Sequence, residues 1–579
     1  MSNAIALWLL RLGLTALGAV GALWLTRKEE PGPGKFLRAM GFLLPFAAGG
    51  YYTVAWALAG LGGLIWLLWW SRGHDLVLRW SLGAATLCIT VALYCLGPIW
   101  AADRGSAMLA LGRAPALVVL VLILMQGDEE PKSYLRLLPQ AGAAITMVSI
   151  LLSWIPGAQG LVVWRQRLSG TFEYANSYAL FLLLGLILSG AEKRRGWGPW
   201  LQELLLVLGI LLSGSRTTLV LLGFSWACLW ITLRDGPLVA RNLGALAGAL
   251  VLCELYKLGN GADSAAGRIL ATGAGDSSFL TRVLYWKDAM SVILRHPLGL
   301  GYLGYRAVQG SIQHGVYHVT YVHNGLLQLA LDVGWLPAVV MLGTLLWEFF
   351  RRGAGLWRRL MIFAFAVHAM MDFDLEFLSL WLVLLCLMGL NRGRQRILAP
   401  GQALVALSIL IAFGLYLALG DTLYRLGDYQ ACLRLEPFHT QALVREMQQE
   451  DETERREQLA DRVLRLNPYA TAAWEEKARA AQSRGNVQAM MAASERVLEY
   501  SPYEIGGYQR YFDRLWACYQ RYDRAGKRRE REICRQALLE LPQRLRRLRE
   551  TSDPLAFRIQ HKPECSLGPS YQMKLRQIQ

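Results

Sequence analysis

A chain of 579 residues, 54% of them hydrophobic and 21 of them tryptophan, is more apolar than a soluble domain, which averages about 45–50% apolar residues. Its net charge of +17 by itself admits nucleic-acid binding, but the placement of the cations argues against it, because they lie mostly between apolar runs or in the tail and lack aromatic-interleaved recognition patterns. Anionic lipid headgroups or a phosphate-bearing substrate suit that charge better. The nine cysteines show no CxxC or other metal-type spacing and no disulfide framework.

In chain order, apolar runs cover about 3–25, 40–70, 78–101, 107–126, 137–156, 174–190, 199–214, 217–233, 241–256, 325–350, 358–372, 376–391 and 401–419. A transmembrane helix needs about 20 apolar residues, so the fold class is all-α, a polytopic membrane protein of about 12–14 spans. The first run is too long for a signal peptide, lacks a cleavage pattern, and reads as a retained span. Run 40–70 is one long span or a hairpin turned at "AAGGYY" (47–52).

Cytoplasmic loops carry the excess of Lys and Arg. "EKRRG" (192–196), "RRGAGLWRR" (351–359) and "NRGRQR" (391–396) are therefore expected inside. Loops 157–173, 214–216, 257–324 and 373–375 then fall outside. With the hairpin, "TRKEEPGPGK" (26–35) is also inside and the count is fourteen; without it the count is thirteen.

After residue 420 the character changes. "LRLEPFHTQAL" (433–443), "LRLNPYATAAW" (464–474) and "LEYSPYEIGGY" (498–508) repeat one pattern, with Pro437, Pro468 and Pro502 spaced 31 and 34 residues apart. That spacing predicts helical hairpins like tetratricopeptide repeats, about 34 residues each, with proline closing one helix and opening the next. The expected domains are 1–156 (N-terminal spans), 157–420 (a core with the large external loop 257–324), 421–550 (helical repeats) and 551–579 (an irregular tail).

The unusual polar residues map to the expected outer face. "WRQRLSGTFEYANSYA" (164–179) carries Arg165, Arg167, Glu173 and Asn176; "LLSGSRTTLV" (211–220) carries Arg216. Arg216 sits in an external turn where the positive-inside rule gives it no reason to be, so it reads as functional. Its guanidinium can grip phosphate oxygens bidentately. Arg282, in "FLTRVLYWKDAMSVILRHPLGLGYLGY" (279–305), reads equally well as a solvated surface charge. Arg165 and Arg167 add positive potential, with a plain surface role favoured for Arg165.

His323 is the candidate base, since an unperturbed histidine titrates near pH 6.5. Asn324 suits a helix N-cap, which would leave His323 as an incidental neighbour. The glycines of "HPLGLGYLGY" (296–305) make a loop that packs closely or approaches a ligand, but not a dinucleotide site, because no strand precedes them. "DFD", with Asp372 and Asp374, could hold a divalent ion. Helix termination and pairing with arginines is the preferred reading, because no second carboxylate cluster lies outside. No nucleophile triad, P-loop, zinc motif or cofactor motif stands out.

Taken in order, "LSGTFEYANSYA", "LLSGSRTTL", "WKDAMSVILRHPLGLGYLGY" and His323-Asn324, nine residues, Gly334 resemble recurrent blocks of the O-antigen ligase and O-antigen polymerase superfamily, over about residues 160–390. The pattern expects Gly, Thr or Tyr where this chain has Pro337. The resemblance implies a metal-independent, cofactor-free transfer of a glycan from an undecaprenyl diphosphate-linked donor to a glycan or lipid acceptor. It implies Arg216 and Arg282 on the diphosphate and His323 as the group that activates the acceptor hydroxyl. Arg167, Asn176 and Asn324 are further candidates for binding substrate. The alternation of basic loops, with span 401–419 beyond "NRGRQR", predicts the site and the repeats on the outer face of a multi-pass inner-membrane protein. Membrane lipids, and protein partners through the repeat tail, are the further expected partners. The His-Asn motif leans towards ligase; Pro337 and the tail weaken that lean towards a polymerase. A lipid-linked glycan transporter, or a scaffold recruiting partners, are readings of other classes. The spans show no inverted repeat, which transporters often carry.

Overall fold

The computed structural model describes residues 2–192, 196–260 and 277–579. Lys193–Arg195 of the "EKRRG" cluster and residues 261–276 of the long loop lie outside the described residues. The protein is an all-α polytopic membrane protein. The bundle begins with α1 (Ser2–Thr26), α2 (Pro33–Phe46), α3 (Thr53–Trp70), α4 (Leu82–Leu96), α5 (Leu109–Gln126) and α6 (Leu138–Ser153). It continues through α7 (Ala175–Gly190), α8 (Trp197–Ser213), α9 (Arg216–Leu233) and α10 (Gly236–Gly259). After α11 (Ser277–Arg295) and α12 (Gly304–Ile312) of the long loop come α13 (Gly325–Val333), α14 (Trp335–Phe350), α15 (Leu356–Ala369), α16 (Leu378–Leu387) and α17 (Pro400–Leu426).

Among the described residues eight helices are long and apolar enough to cross a membrane, and four apolar helices, α7, α8, α14 and α16, are shorter. Together they make twelve apolar helices among the described residues, within the 12–14 spans read from the sequence. The short helices survive because neighbours cover them. All of α16, and α7 apart from Asn176, is buried, so these helices need not match the thickness of lipid.

Run 40–70 is a hairpin. The chain turns at Ala47–Tyr52 with Gly49 and Gly50 at positive φ. Phe36, near the start of α2, then meets Trp66, near the end of α3, at 5.9 Å between ring centroids. Run 325–350 is not one helix. It breaks at Gly334, φ +94°, because the "HPLGLGY" loop inserts its backbone there: Leu300 N donates to Leu331 O at 2.6 Å and Gly301 N to Asp332 O at 3.1 Å. Those glycines pack the chain against itself.

Basic loops meet on one face. Arg38 pairs with Glu29 and with Glu129, each at 2.6 Å. Residues 76–80 and 394–398 form an antiparallel ribbon, Arg79 donates to Asn391 O at 2.6 Å, and Arg358 donates to Leu387 O at 2.6 Å. The opposite face gathers the turn at 47–52, loops 97–108 and 154–174, the start of α9 and the segment carrying His323.

The tail folds as helices α18 (Tyr429–Leu435), α19 (Thr440–Gln449), α20 (Thr453–Leu466), α21 (Thr471–Ser483), α22 (Val487–Tyr500), α23 (Ile505–Arg524) and α24 (Arg528–Thr551). Pro437, Pro468 and Pro502 each fall in a link between helices. Apolar residues spaced for one helix face, such as Leu443 with Met447 and Leu459 with Val463, bury against each other. The last stretch is not irregular throughout. Pro569 opens α25 (Pro569–Arg576), whose Leu575, with Ile578, buries in the core of α23 and α24. Too few apolar residues mark it in sequence, and its stability comes from that docking.

Candidate active site

The site is built at the helix ends of the His323 face. Asn324 has extended backbone, and its Oδ1 accepts from the N–H of Leu326 at 3.1 Å and of Leu327 at 3.0 Å. It is the N-cap of α13, so its side-chain oxygen is occupied by the helix and the substrate-binding expectation for it has no support in this geometry. The cap fixes the residue before it. His323 takes φ +47°, a left-handed conformation uncommon outside glycine. Val322 is held on both sides: its N–H donates to Gln328 Oε1 at 3.0 Å and its carbonyl accepts from Trp286 Nε1 at 2.9 Å. Strain of this kind persists where surrounding structure over-determines it, and it clusters at functional sites.

The imidazole meets Asp372. His323 Nδ1 lies 3.1 Å from Asp372 Oδ1, with the His323 side chain 21% exposed and that of Asp372 2%. Tyr174 OH donates to the same oxygen at 2.6 Å, Asn176 Nδ2 donates to Oδ2 at 2.6 Å, and Phe373 N donates to Oδ1 at 3.1 Å. Arg282 Nη2 stands 3.7 Å from Oδ2. Burial by itself would push the Asp372 carboxyl up. The hydrogen bond and charge of His323, with the charge of Arg282, outweigh burial and hold it well below the usual carboxylate range. Asp372 is thus a fixed anion, and it selects the tautomer that carries hydrogen on Nδ1, leaving Nε2 to accept a proton.

The network runs outward from Asn176. Arg167 Nη2 donates to Asn176 Oδ1, and Arg167 Nε donates to Ser213 O at 2.6 Å. Ser213 ends α8, and Arg216 opens α9 three residues later, with its side chain exposed. A cation at a helix N-terminus opposes the helix dipole, which favours anions there. The structure therefore brings Arg167, Asn176, Arg282 and His323 together around Asp372 and Tyr174, with Arg216 at the rim beyond Ser213. Arg165 is exposed, with its guanidinium 5.6 Å from the Trp164 ring.

Neighbouring carboxylates are engaged elsewhere. Glu173 is bound bidentately by Arg11, at 2.6 and 2.8 Å, and by Tyr52 OH at 2.9 Å. Asp374 takes Ser177 Oγ at 2.7 Å and lies 2.7 Å from His368 Nδ1. The two carboxylates of "DFD" thus point to different partners. Among the described residues no three His, Cys, Asp or Glu side chains are grouped to hold a metal ion.

Sequence reasoning underrated Asp372, which it took as a helix terminator paired with arginine, and passed over Tyr174. A carboxylate in an external turn, facing a histidine from another external segment, was the available signal. It also missed a buried pair behind the site. Arg113 of α5 meets Glu376 at 2.6 Å, and Tyr302 OH donates to Glu376 at 2.9 Å. An arginine inside an apolar run marks such a pair. It ties the "HPLGLGYLGY" loop to the segment after Asp372.

A comparison with curated proteins finds no match. Residues 204–342, about a quarter of the chain, match the family model described as O-antigen ligase. That segment holds Arg216, Arg282, His323 and Asn324, and over it the chain is similar to the O-antigen ligase family.

Proposed function

We propose that the protein transfers a glycan from an undecaprenyl diphosphate-linked donor to an acceptor hydroxyl, without a metal, at the outer face of the inner membrane. The observation that carries this reading is the His323–Asp372 pair. Asp372 orients the imidazole, and Nε2 takes the proton of the acceptor hydroxyl. The acceptor oxygen then bonds to the anomeric carbon of the donor sugar. The bond from that carbon to the diphosphate oxygen breaks, and its electron pair leaves with the diphosphate. Arg216 and Arg282, with Arg167 behind them, supply fixed positive charge where that negative charge develops. Such preorganised groups are each worth about 10²–10³ in rate.

The ligase reading, with a lipid or other non-polymeric acceptor, is preferred because the His-Asn-nine-Gly spacing is intact. The polymerase reading joins two lipid-linked units through the same chemistry. Purified full-length protein and a lipid-linked donor test the reading. Transfer by the native protein and its loss in His323→Ala are expected; equal transfer by both would overturn it. Glycan analysis in a deletion strain separates the classes. Loss of a ligase leaves long chains on the carrier, loss of a polymerase leaves single units, and loss of a transporter traps units inside.

A further inference from the structure

The helical tail does not hang free of the bundle. Thr440 Oγ1 donates to Asp103 Oδ1 at 2.6 Å and Asn467 Nδ2 to Asp103 Oδ2 at 3.3 Å. Two glycines of the membrane part let the chains approach. A Cβ on Gly105 would stand 2.2 Å from Phe438 O, and one on Gly310 2.0 Å from Tyr500 O. Further along, Asp553 pairs with Lys287 and donates its N–H to His314 O at 3.0 Å. Docking at these points leaves a groove of about 400 Å³ between α12 and the helices α19, α21 and α22, within the usual size of a ligand site, about 300–1,000 Å³.

The lining of the groove has the chemistry to bind carbohydrate. Tyr469 and Tyr500 stand edge to face at 5.1 Å between centroids, offering flat apolar faces to the C–H side of a pyranose ring. Gln441 and Gln448 line the same space with amides for hydroxyls. Arg306 and Arg445 also line it, are exposed, and form no ion pair among the described residues. The carboxylate of Asp103 is spent on Ser106, Thr440 and Asn467, which leaves these two cations to set the sign.

The groove lies on the same face as the candidate active site. His318 lines it from the segment that carries His323, and Leu303 lines it while packing in one cluster with Tyr321. We propose that this groove holds the extended part of a carboxylate-bearing glycan chain whose end is presented to His323. The proposal rests on the transferase reading for its role and deepens it by naming an acidic polysaccharide as the chain. Arginine forks suit uronate carboxylates.

The test is binding of size-graded oligogalacturonides, with neutral dextran oligomers of equal length as controls, to full-length protein in nanodiscs without anionic lipid, by calorimetry. Affinity should rise with length for the acidic series, exceed that of the neutral series at least tenfold, and fall at least tenfold in Arg306→Gln/Arg445→Gln. Tyr469→Ala should weaken the long oligomers and spare the shortest. Both arginines are exposed, so an unchanged melting temperature is expected alongside. No binding by the native protein, equal binding by the double variant, or binding that ignores length would overturn the proposal. Because this assay contains no donor, the two ideas fail separately. Binding without transfer sinks the transferase reading, and transfer without binding sinks the groove.

Discussion

Asp372 and His323 stand 49 residues apart in the chain and 3.1 Å apart in space. Their contact makes a pH signature in stability. The Asp372 carboxyl is held below its ordinary value, so its ionised form stabilises the fold above about pH 4, and that contribution is lost as pH falls through the folded value. Asp372→Asn should therefore be less stable than the native protein at pH 6–7, and the two should converge in acid. Thermal unfolding across pH checks this. A constant gap down to pH 3 would show that the carboxylate charge is not what His323 and Arg282 recognise.

His323→Ala should still fold and bind lipid-linked donor, because the cap at Asn324 and the arginines remain, with a loss of stability confined to the pH range where Asp372 is ionised. Its transfer rate should fall by about 10²–10⁴, the usual contribution of a general base. Asn324→Ala should cost about 1 kcal/mol for the lost cap, and Asn324→Ser should recover most of that. Turnover and melting temperature measured on both variants separate the roles; matching losses of both quantities would reduce His323 to part of the helix start.

Arg216→Ala and Arg282→Ala should each lower turnover by about 10²–10³, with lysine restoring only part, since a point charge lacks the bidentate fork. Arg282→Ala should also disturb Asp372, its neighbour at 3.7 Å, whereas Arg216→Ala should leave the acid stability profile untouched. Single-turnover transfer, read beside that profile, checks the pair. A well-folded Arg216→Ala at full rate would end the diphosphate role.

Glu436 should give the opposite pH signature to Asp372. It is fully buried where the tail leaves α17, neither of its carboxyl oxygens has a hydrogen-bond partner among the described residues, and burial together with Asp421 pushes it up to about 8. A raised carboxyl stabilises the fold below its ordinary value, near pH 4.5, and that stability drains away as pH rises through about 8. Glu436→Gln should flatten this decline and melt higher at pH 8, because a neutral amide carries no charge to bury beside Asp421. A native protein equally stable at pH 5 and pH 8 would contradict the buried neutral acid.

The tail should lie on the same side of the membrane as His323, since Asp103 and Gly310 of the bundle's His323 face hold it. Gln488 is exposed on α22, and Cys432, Cys518 and Cys534 are buried. Gln488→Cys in a Cys565→Ser background should react with an impermeant thiol reagent applied from outside intact cells. Labelling only after permeabilisation would reverse the proposed orientation.

What the sequence determined by itself was local. Apolar runs of membrane length marked the spans, Asn324 before an apolar run marked the start of α13, and prolines at regular spacing marked the links of the tail, because each signal lies within a few neighbouring residues and acts through backbone geometry and burial. Tertiary structure decided the rest. A continuous apolar run from 325 to 350 gave no warning of the break at Gly334, because the cause is the backbone of residues 297–301 pressed against it. Asp372 looked like a helix terminator until packing set Tyr174, Asn176, Arg282 and His323 around it. The groove at Arg306 and Arg445 exists only because two glycines let the tail dock. A carboxylate takes its role from the charges and donors that surround it in space, and segments far apart in the chain supply those.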